Sequence, residues 1–367
     1  MVHHPASASG ATELRTFMQS VLEDIRVLER MIDEGMIERD VRRIGAEQEL
    51  FLVDEAWRPI PIQSAMLDRL GKTSSSFTPE LASFNIEANL QPQVLSPTCL
   101  TDMHAELDGL MRQARSAAQA EGGQILNCGI LPTLAQSDLS LANMAENARY
   151  RQLNQVMSDR RGGRFESLIK GLDELRVVHD NVMMEACNTS FQVHFQVGAE
   201  EFANLYNLAQ LVTGPVLAAA VNSPVLLQHR LWHETRVALF AQSLDIRNAS
   251  QMARNTRQRV TFGDRWVEGG VLDIFREDVS RFRLLLGGDT RGSSMEALER
   301  GEVPTRDALR LHNGTVYRWN RPCYGISDGK PHLRIENRVL PAGPTVEDQI
   351  ANTAFYLGLM IAFGEEL

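Results

Sequence analysis

The sequence predicts an α+β domain built on an antiparallel sheet. Four segments alternate polar and apolar residues with the period of two that a strand imposes. Other segments repeat apolar residues at helical spacing, and long loops separate the two kinds. With 367 residues and 43% hydrophobic content, the chain can bury a large core.

From the amino end, residues 1–11 read as a flexible tail. Leu14, Phe17, Met18, Val21, Leu22, Ile25, Leu28 and Ile32 then predict an amphipathic helix from Thr12 to about Gly35, the expected stop. Residues 12–40 form this N-terminal unit and 41–367 a single domain. The first strand is Ile44–Val53, where Glu47 and Glu49 share one face and Ala46, Gln48, Leu50 and Leu52 the other. Two carboxylates so placed repel unless water or a cation lies between them. Trp57-Arg-Pro-Ile-Pro61 turns the chain. Gly71-Lys-Thr73 has the tail of a phosphate-binding loop, but Met66 stands where its first glycine belongs.

Glu80 leads into the second strand, Phe84–Gln91, where Asn85, Glu87, Asn89 and Gln91 oppose Phe84, Ile86, Ala88 and Leu90. A helix capped at Thr101 runs to about Gln119, and Gly129–Pro132 reads as a short buried strand. Residues 143–160 carry Arg149, Tyr150, Arg151 and Asn154 in a helix or ordered loop, and 160–164 form a flexible connection. The third strand, Asn188–Val197, sets Ser190, Gln192, His194 and Gln196 on one face.

Glu200–Val221 predicts an apolar helix interrupted at Gly214-Pro215, and Asn222-Ser-Pro224 ends it. The stretch from His233 brings Arg236. Residues 268–310 are rich in loops, with Gly287-Gly288-Asp289 before a short helix from about Glu296. Asn313–Arg321 alternates again, with Tyr317, Trp319 and Arg321 on one side. The fourth strand, Arg334–Leu340, aligns Arg334, Glu336 and Arg338. Pro341–Pro344 breaks the sheet before a last helix from Val346, which ends without a closing element, so a shortened C-terminus is expected.

The net charge of −10 and the lack of a basic cluster argue against nucleic acid as main partner. No apolar run reaches the roughly 18 residues needed to span a bilayer. Cys99, Cys128, Cys187 and Cys323 are scattered, suggesting neither a disulfide framework nor a zinc site. The expectation is a cytoplasmic protein acting on small molecules, without membrane or nucleic-acid partners and with a homo-oligomer left open.

The polar strand faces together offer Glu47, Glu49, Glu80, Glu87, Glu336 and His194. Carboxylates converge only when protonated, far apart or holding cations. Oxygen ligands with one imidazole suit Mg²⁺ or Mn²⁺ better than Zn²⁺. With Arg334, Arg338 and Arg236 nearby, such ions would make a clamp for a triphosphate. Each residue has a plainer alternative: His194 as a hydrogen-bonded core histidine, Arg236 as a partner of Glu234, Tyr317 and Trp319 as core packing.

Gly45-Ala-Glu-Gln-Glu49, Glu80-x6-Glu87, Gln192-Val-His194, Thr213-Gly-Pro215, Arg236 and Arg334-Ile-Glu-Asn-Arg338 resemble, in order and spacing, the type 2 glutamate–cysteine ligases and related carboxylate–amine ligases. The resemblance implies a glutamine-synthetase-like catalytic domain, a curved antiparallel sheet with helices packed on its outer face. It also implies ATP and Mg²⁺ (or Mn²⁺) as cofactors, with Glu47, Glu49, Glu80, Glu87, His194 and Glu336 as metal ligands. Arg236 and Arg338 would then stabilise the transferring phosphoryl group, while Arg334, Tyr317 and Trp319 line the nucleotide or amine pocket. The implied reaction joins glutamate to cysteine through a γ-glutamyl phosphate. Another acid or amine, or a non-catalytic nucleotide or amino-acid sensor, remains an alternative.

Overall fold

The computed structural model describes residues 8–71, 74–288 and 292–366. The expected tail at 1–7, Lys72 and Thr73 of the loop-like tripeptide, and Asp289 lie outside these residues. Helix α1 spans Ala8–Asp33, so residues 8–11 belong to the helix and not to a tail.

Among the described residues, eight strands form one sheet. They are β1 (Arg43–Val53), β2 (Phe77–Pro79), β3 (Asn85–Asn89), β4 (Gln93–Val94), β5 (Gln124–Leu126), β6 (Phe191–Val197), β7 (Asn320–Ser327) and β8 (Lys330–Asn337). The order is β7-β8-β6-β1-β3-β2, with β4 and β5 pairing to opposite ends of β1. Every pairing is antiparallel, and the sheet curls into a half-barrel. All four strands expected from alternation are present, but the fourth runs Lys330–Asn337 rather than Arg334–Leu340, so Arg338 lies just past its end; the β7 partner of β8 is an addition.

Alternation decides which face is which. Ala46, Leu50 and Leu52 of β1, Ile86 and Ala88 of β3, Val193 and Phe195 of β6, and Leu333 and Ile335 of β8 join one buried apolar cluster. Covering that face are helices α2 (Cys99–Ala120), α4 (Phe202–Ala220) and α6 (Val346–Glu366), all apolar on their inner sides. The other face carries the carboxylates at 47, 49, 87 and 336. Along it β1 turns apolar at Phe51 and Val53, which join a second buried cluster with Phe84, Ile130, Met184 and Trp319.

Several elements depart from expectation. Helix α4 runs unbroken through Gly214-Pro215. A proline frees the carbonyl four residues back, here that of Leu211, whose side chain is exposed, so water can satisfy it. The strand expected at Gly129–Pro132 lies earlier, at β5, and Ile130 and Leu131 are buried in irregular chain. Gly129 is required there: a Cβ would meet Arg236 Cδ and Pro341 Cβ at 2.9 Å. Helix α2 begins at Cys99, so Thr101 is inside it rather than its cap. Residues 148–161 are a helix, α3 (Ala148–Arg161), capped by Asn147. Asn313 closes a short helix, Asp307–Asn313, and the alternation after it splits into Tyr317–Arg318 and β7. The hairpin Phe165–Lys170 and Glu174–His179 was not foreseen.

Candidate active site

Strand register brings the polar residues together. Glu49 stands directly opposite Glu87 on β3, Glu47 opposite Gln192 on β6, and His194 opposite Glu336 on β8. Glu80 follows β2 at once. The result is two neighbouring groups of metal-ligand type, each with its ligand atoms within 4.8 Å of one another: Glu47, His194 and Glu336, and Glu49, Glu80 and Glu87.

The groups differ in charge balance. Arg321 grips Glu336 with two guanidinium nitrogens, at 2.8 Å each, and Arg338 pairs with the same carboxylate. Burial alone would raise Glu336, but Arg321 and Arg338 hold it well below the usual carboxylate range. Glu47 also ends below that range, because His194 Nε2 at 2.9 Å outweighs its burial. In the second group none of the three carboxylates forms an ion pair among the described residues. Burial pushes Glu80 well up, helped by Glu87 and Glu49. Burial, with Glu47 and Glu49, lifts Glu87 to about 8 although Thr78 and Asn89 donate to it at 2.9 and 3.0 Å.

This donor chemistry fits divalent cations. The second group is all oxygen, half-buried and without an ion-pair partner among the described residues, the setting in which a hard cation relieves repulsion. The first group has the imidazole, but Arg334 Nε donates to His194 Nδ1 at 3.1 Å, leaving the ring proton on Nε2 toward Glu47. Ligation through Nε2 would require that proton to move and Arg334 to release Nδ1.

Two cavities meet at Glu47, which lines both. One, of about 430 Å³, is bounded by Arg43, Arg310, Arg334, His194, Tyr324 and Ile326. The other, of about 360 Å³, is bounded by the second carboxylate group together with Arg149, Tyr150, Tyr317, Arg338 and Glu185. Gln192 ties the groups together, donating to Glu49 at 2.9 Å while accepting from Arg338.

Two expected site residues lie elsewhere. Arg236, first residue of helix α5 (Arg236–Ser243), is buried and lines neither cavity. It pairs with Glu234 at 3.1 Å and donates to the carbonyls of Val339 at 3.0 Å and Arg338 at 3.4 Å, so it fixes the backbone that carries Arg338. Trp319 is core: it packs edge-on against Phe240 and stacks on Phe262, between Tyr317–Arg318 and β7. Tyr317 lines the second cavity and Arg334 the first. Sequence reading gave no site role to Arg321, whose only signal was its place on an alternating face. It also passed over Glu185, a lone carboxylate in the apolar run Val182–Cys187.

Residues 43–363 match the family described as glutamate-cysteine ligase family 2. No curated protein matches the chain. Among solved structures it is similar to the glutamate–cysteine ligase of Francisella tularensis in complex with AMP, at TM-score 0.46 and 11% identity over 89% of this chain and 67% of that one. A bifunctional glutathione synthetase from Pasteurella multocida matches at TM-score 0.41 and 11% identity, over 87% of this chain and 39% of that one. GmaS without ligand matches at 0.34 and 11%, over 94% of this chain and 58% of that one. The chain thus spans well under two thirds of the last two.

Proposed function

The chain belongs to glutamate-cysteine ligase family 2, and from that premise we propose that it is an ATP-dependent carboxylate–amine ligase that joins glutamate to cysteine. The observation that carries the reading is the pair of ligand groups on one sheet face, with Arg338 reaching from Glu336 to Gln192 at their junction.

ATP enters the larger cavity, where Arg43, Arg310 and Arg334 offer guanidinium groups to phosphates and Tyr324 and Ile326 an apolar wall to the base. The carboxylic acid enters the second cavity. Divalent cations held by Glu49, Glu80 and Glu87, and by Glu47, His194 and Glu336, would supply charge neutralisation at the phosphate oxygens. The acid's carboxylate attacks the γ-phosphate, ADP leaves, and an acyl phosphate forms. Arg338 faces the phosphoryl group in transfer and stabilises its growing charge. Arg236 keeps Arg338 in position from behind. The amine then displaces phosphate, which is a far better leaving group than the oxide of a free carboxylate.

The test is phosphate release from ATP with Mg²⁺ and glutamate, scanned across amines that include cysteine, with Glu47→Gln as control. Release that requires both amino acids and is lost in the variant supports the reading. Release with a different acid–amine pair keeps the chemistry and replaces the substrates.

A further inference from the structure

Among the residues bounding the second cavity, Glu185 stands apart. It lies in the 3-10 turn Val182–Cys187, whose other members are buried and apolar apart from its own carboxylate. Its side chain accepts no hydrogen bond and forms no ion pair among the described residues, and it belongs to neither ligand group. Asn188 bonds only its backbone carbonyl, at 2.9 and 3.0 Å. Glu185 is half-buried, and a half-buried carboxylate left without a partner on a cavity wall is available to a ligand.

We propose that Glu185 receives the ammonium group of the amine acceptor, an inference that rests on the ligase reading above. Glu185 bounds the same cavity as Glu49 and Arg338, the groups at the reacting centre. The acid substrate presents a carboxylate there, then an acyl phosphate. Both are anions, and Glu185 repels them. What Glu185 attracts is an ammonium, and of the two that the reactants bring, the acceptor's is the one that must reach the acyl carbon in this cavity. Arg149, at the rim of the same cavity, has no acidic partner among the described residues. An unpaired anion and an unpaired cation on one cavity complement a zwitterion, so the acceptor class is an amino acid. Val182 lies one 3-10 turn before Glu185 and shares its side of the turn, offering an apolar surface to the acceptor's body. The Glu185 carboxylate first takes one proton from the ammonium, freeing the nitrogen lone pair; on attack the nitrogen–carbon bond forms, the carbon–oxygen bond to phosphate breaks, and the nitrogen's second proton leaves with inorganic phosphate.

The experiment compares two nucleophiles in wild type and Glu185→Gln, with ATP, Mg²⁺ and glutamate. Cysteine approaches as a cationic amine, whereas hydroxylamine is uncharged at neutral pH and traps the acyl phosphate as a hydroxamate. The expected result is a loss in kcat/KM at least tenfold larger for cysteine than for hydroxylamine, carried mainly by the KM for cysteine, as deletion of one charged hydrogen bond predicts. Glu185→Asp restores part of that difference. Mn²⁺ affinity, read by electron paramagnetic resonance, stays near the wild-type value, and a thermal melt checks that the variant folds. Equal losses for the two nucleophiles, or a large drop in Mn²⁺ affinity, would overturn the proposal and make Glu185 part of the metal-binding groups. A rise confined to the KM for glutamate would overturn it in favour of the acid substrate's own ammonium. Wild-type protein that yields no hydroxamate from glutamate or any other amino acid overturns the ligase reading itself, and this inference with it.

Discussion

Glu47 and Glu49 leave β1 on one face, two residues apart, yet their surroundings push them in opposite directions. Burial raises both. His194 pulls Glu47 below the usual carboxylate range, while Glu49 stays above it despite Arg338, Arg236 and a hydrogen bond from the Ser190 amide at 2.7 Å. The strand thus divides the site into a half paired with guanidinium and imidazole groups and a half whose carboxylates form no ion pair among the described residues.

Glu80→Gln should separate stability from metal binding. Removing one of three uncompensated carboxylates relieves repulsion in the metal-free protein, and its melting temperature should rise by a few degrees, about 1 kcal/mol. Mn²⁺ affinity should fall by about tenfold or more, since an oxygen ligand is lost. Melting curves and Mn²⁺ titrations check both signs. A lower melting temperature without metal would refute the repulsion argument.

Stability of the metal-free protein should fall as pH rises from about 4.5 to about 8, the interval between the ordinary value of Glu87 and its folded one. In that interval the folded state holds the proton and the unfolded state has released it, so each step up in pH favours unfolding. The contribution is complete below the lower value and gone above the higher. Denaturant unfolding at a series of pH values reads the slope, and Mn²⁺ should flatten it by stabilising the charged form.

Arg338 and Arg236 should fail differently. Arg338→Met should cut kcat by about 10²-fold or more, because a charge that faces the phosphoryl group is lost. Arg236→Met should instead cost about 3 kcal/mol of stability, since Glu234 is left buried without its partner and two carbonyls lose a donor. Single-turnover kinetics and urea unfolding together tell the two apart.

Trp319→Ala should destabilise the fold by about 3–5 kcal/mol, the usual cost of removing a large buried aromatic. The KM for ATP should hardly move, because the side chain bounds neither cavity. A large rise in that KM with unchanged stability would return Trp319 to the nucleotide pocket.

Much of the sheet was legible because alternation is a local property. Each of the four strands carries its own record of an apolar face and a polar one, and one face must be buried. The hairpin Phe165–Lys170 and Glu174–His179 was missed although Phe165–Lys170 alternates in burial, because short segments with charged residues on one face look like loops in one dimension. The break near Trp319 was missed for a related reason: alternation continues across it in the sequence, while the pairing partner changes from Val260–Thr261 to β8.

By itself the sequence determined the strand faces, the main helices and the chemical kinds of side chain the sheet would present. Pairing and register decided the rest. Which carboxylates form one group, that Arg321 grips Glu336, and that Glu185 shares a cavity with Glu49 depend on contacts between residues far apart in the chain, as does the bond from Arg236 to the carbonyl of Val339. Charge interactions act through distance and local polarity, and neither is written in the order of residues along a chain. Only the folded sheet brings those distances down to a few ångströms.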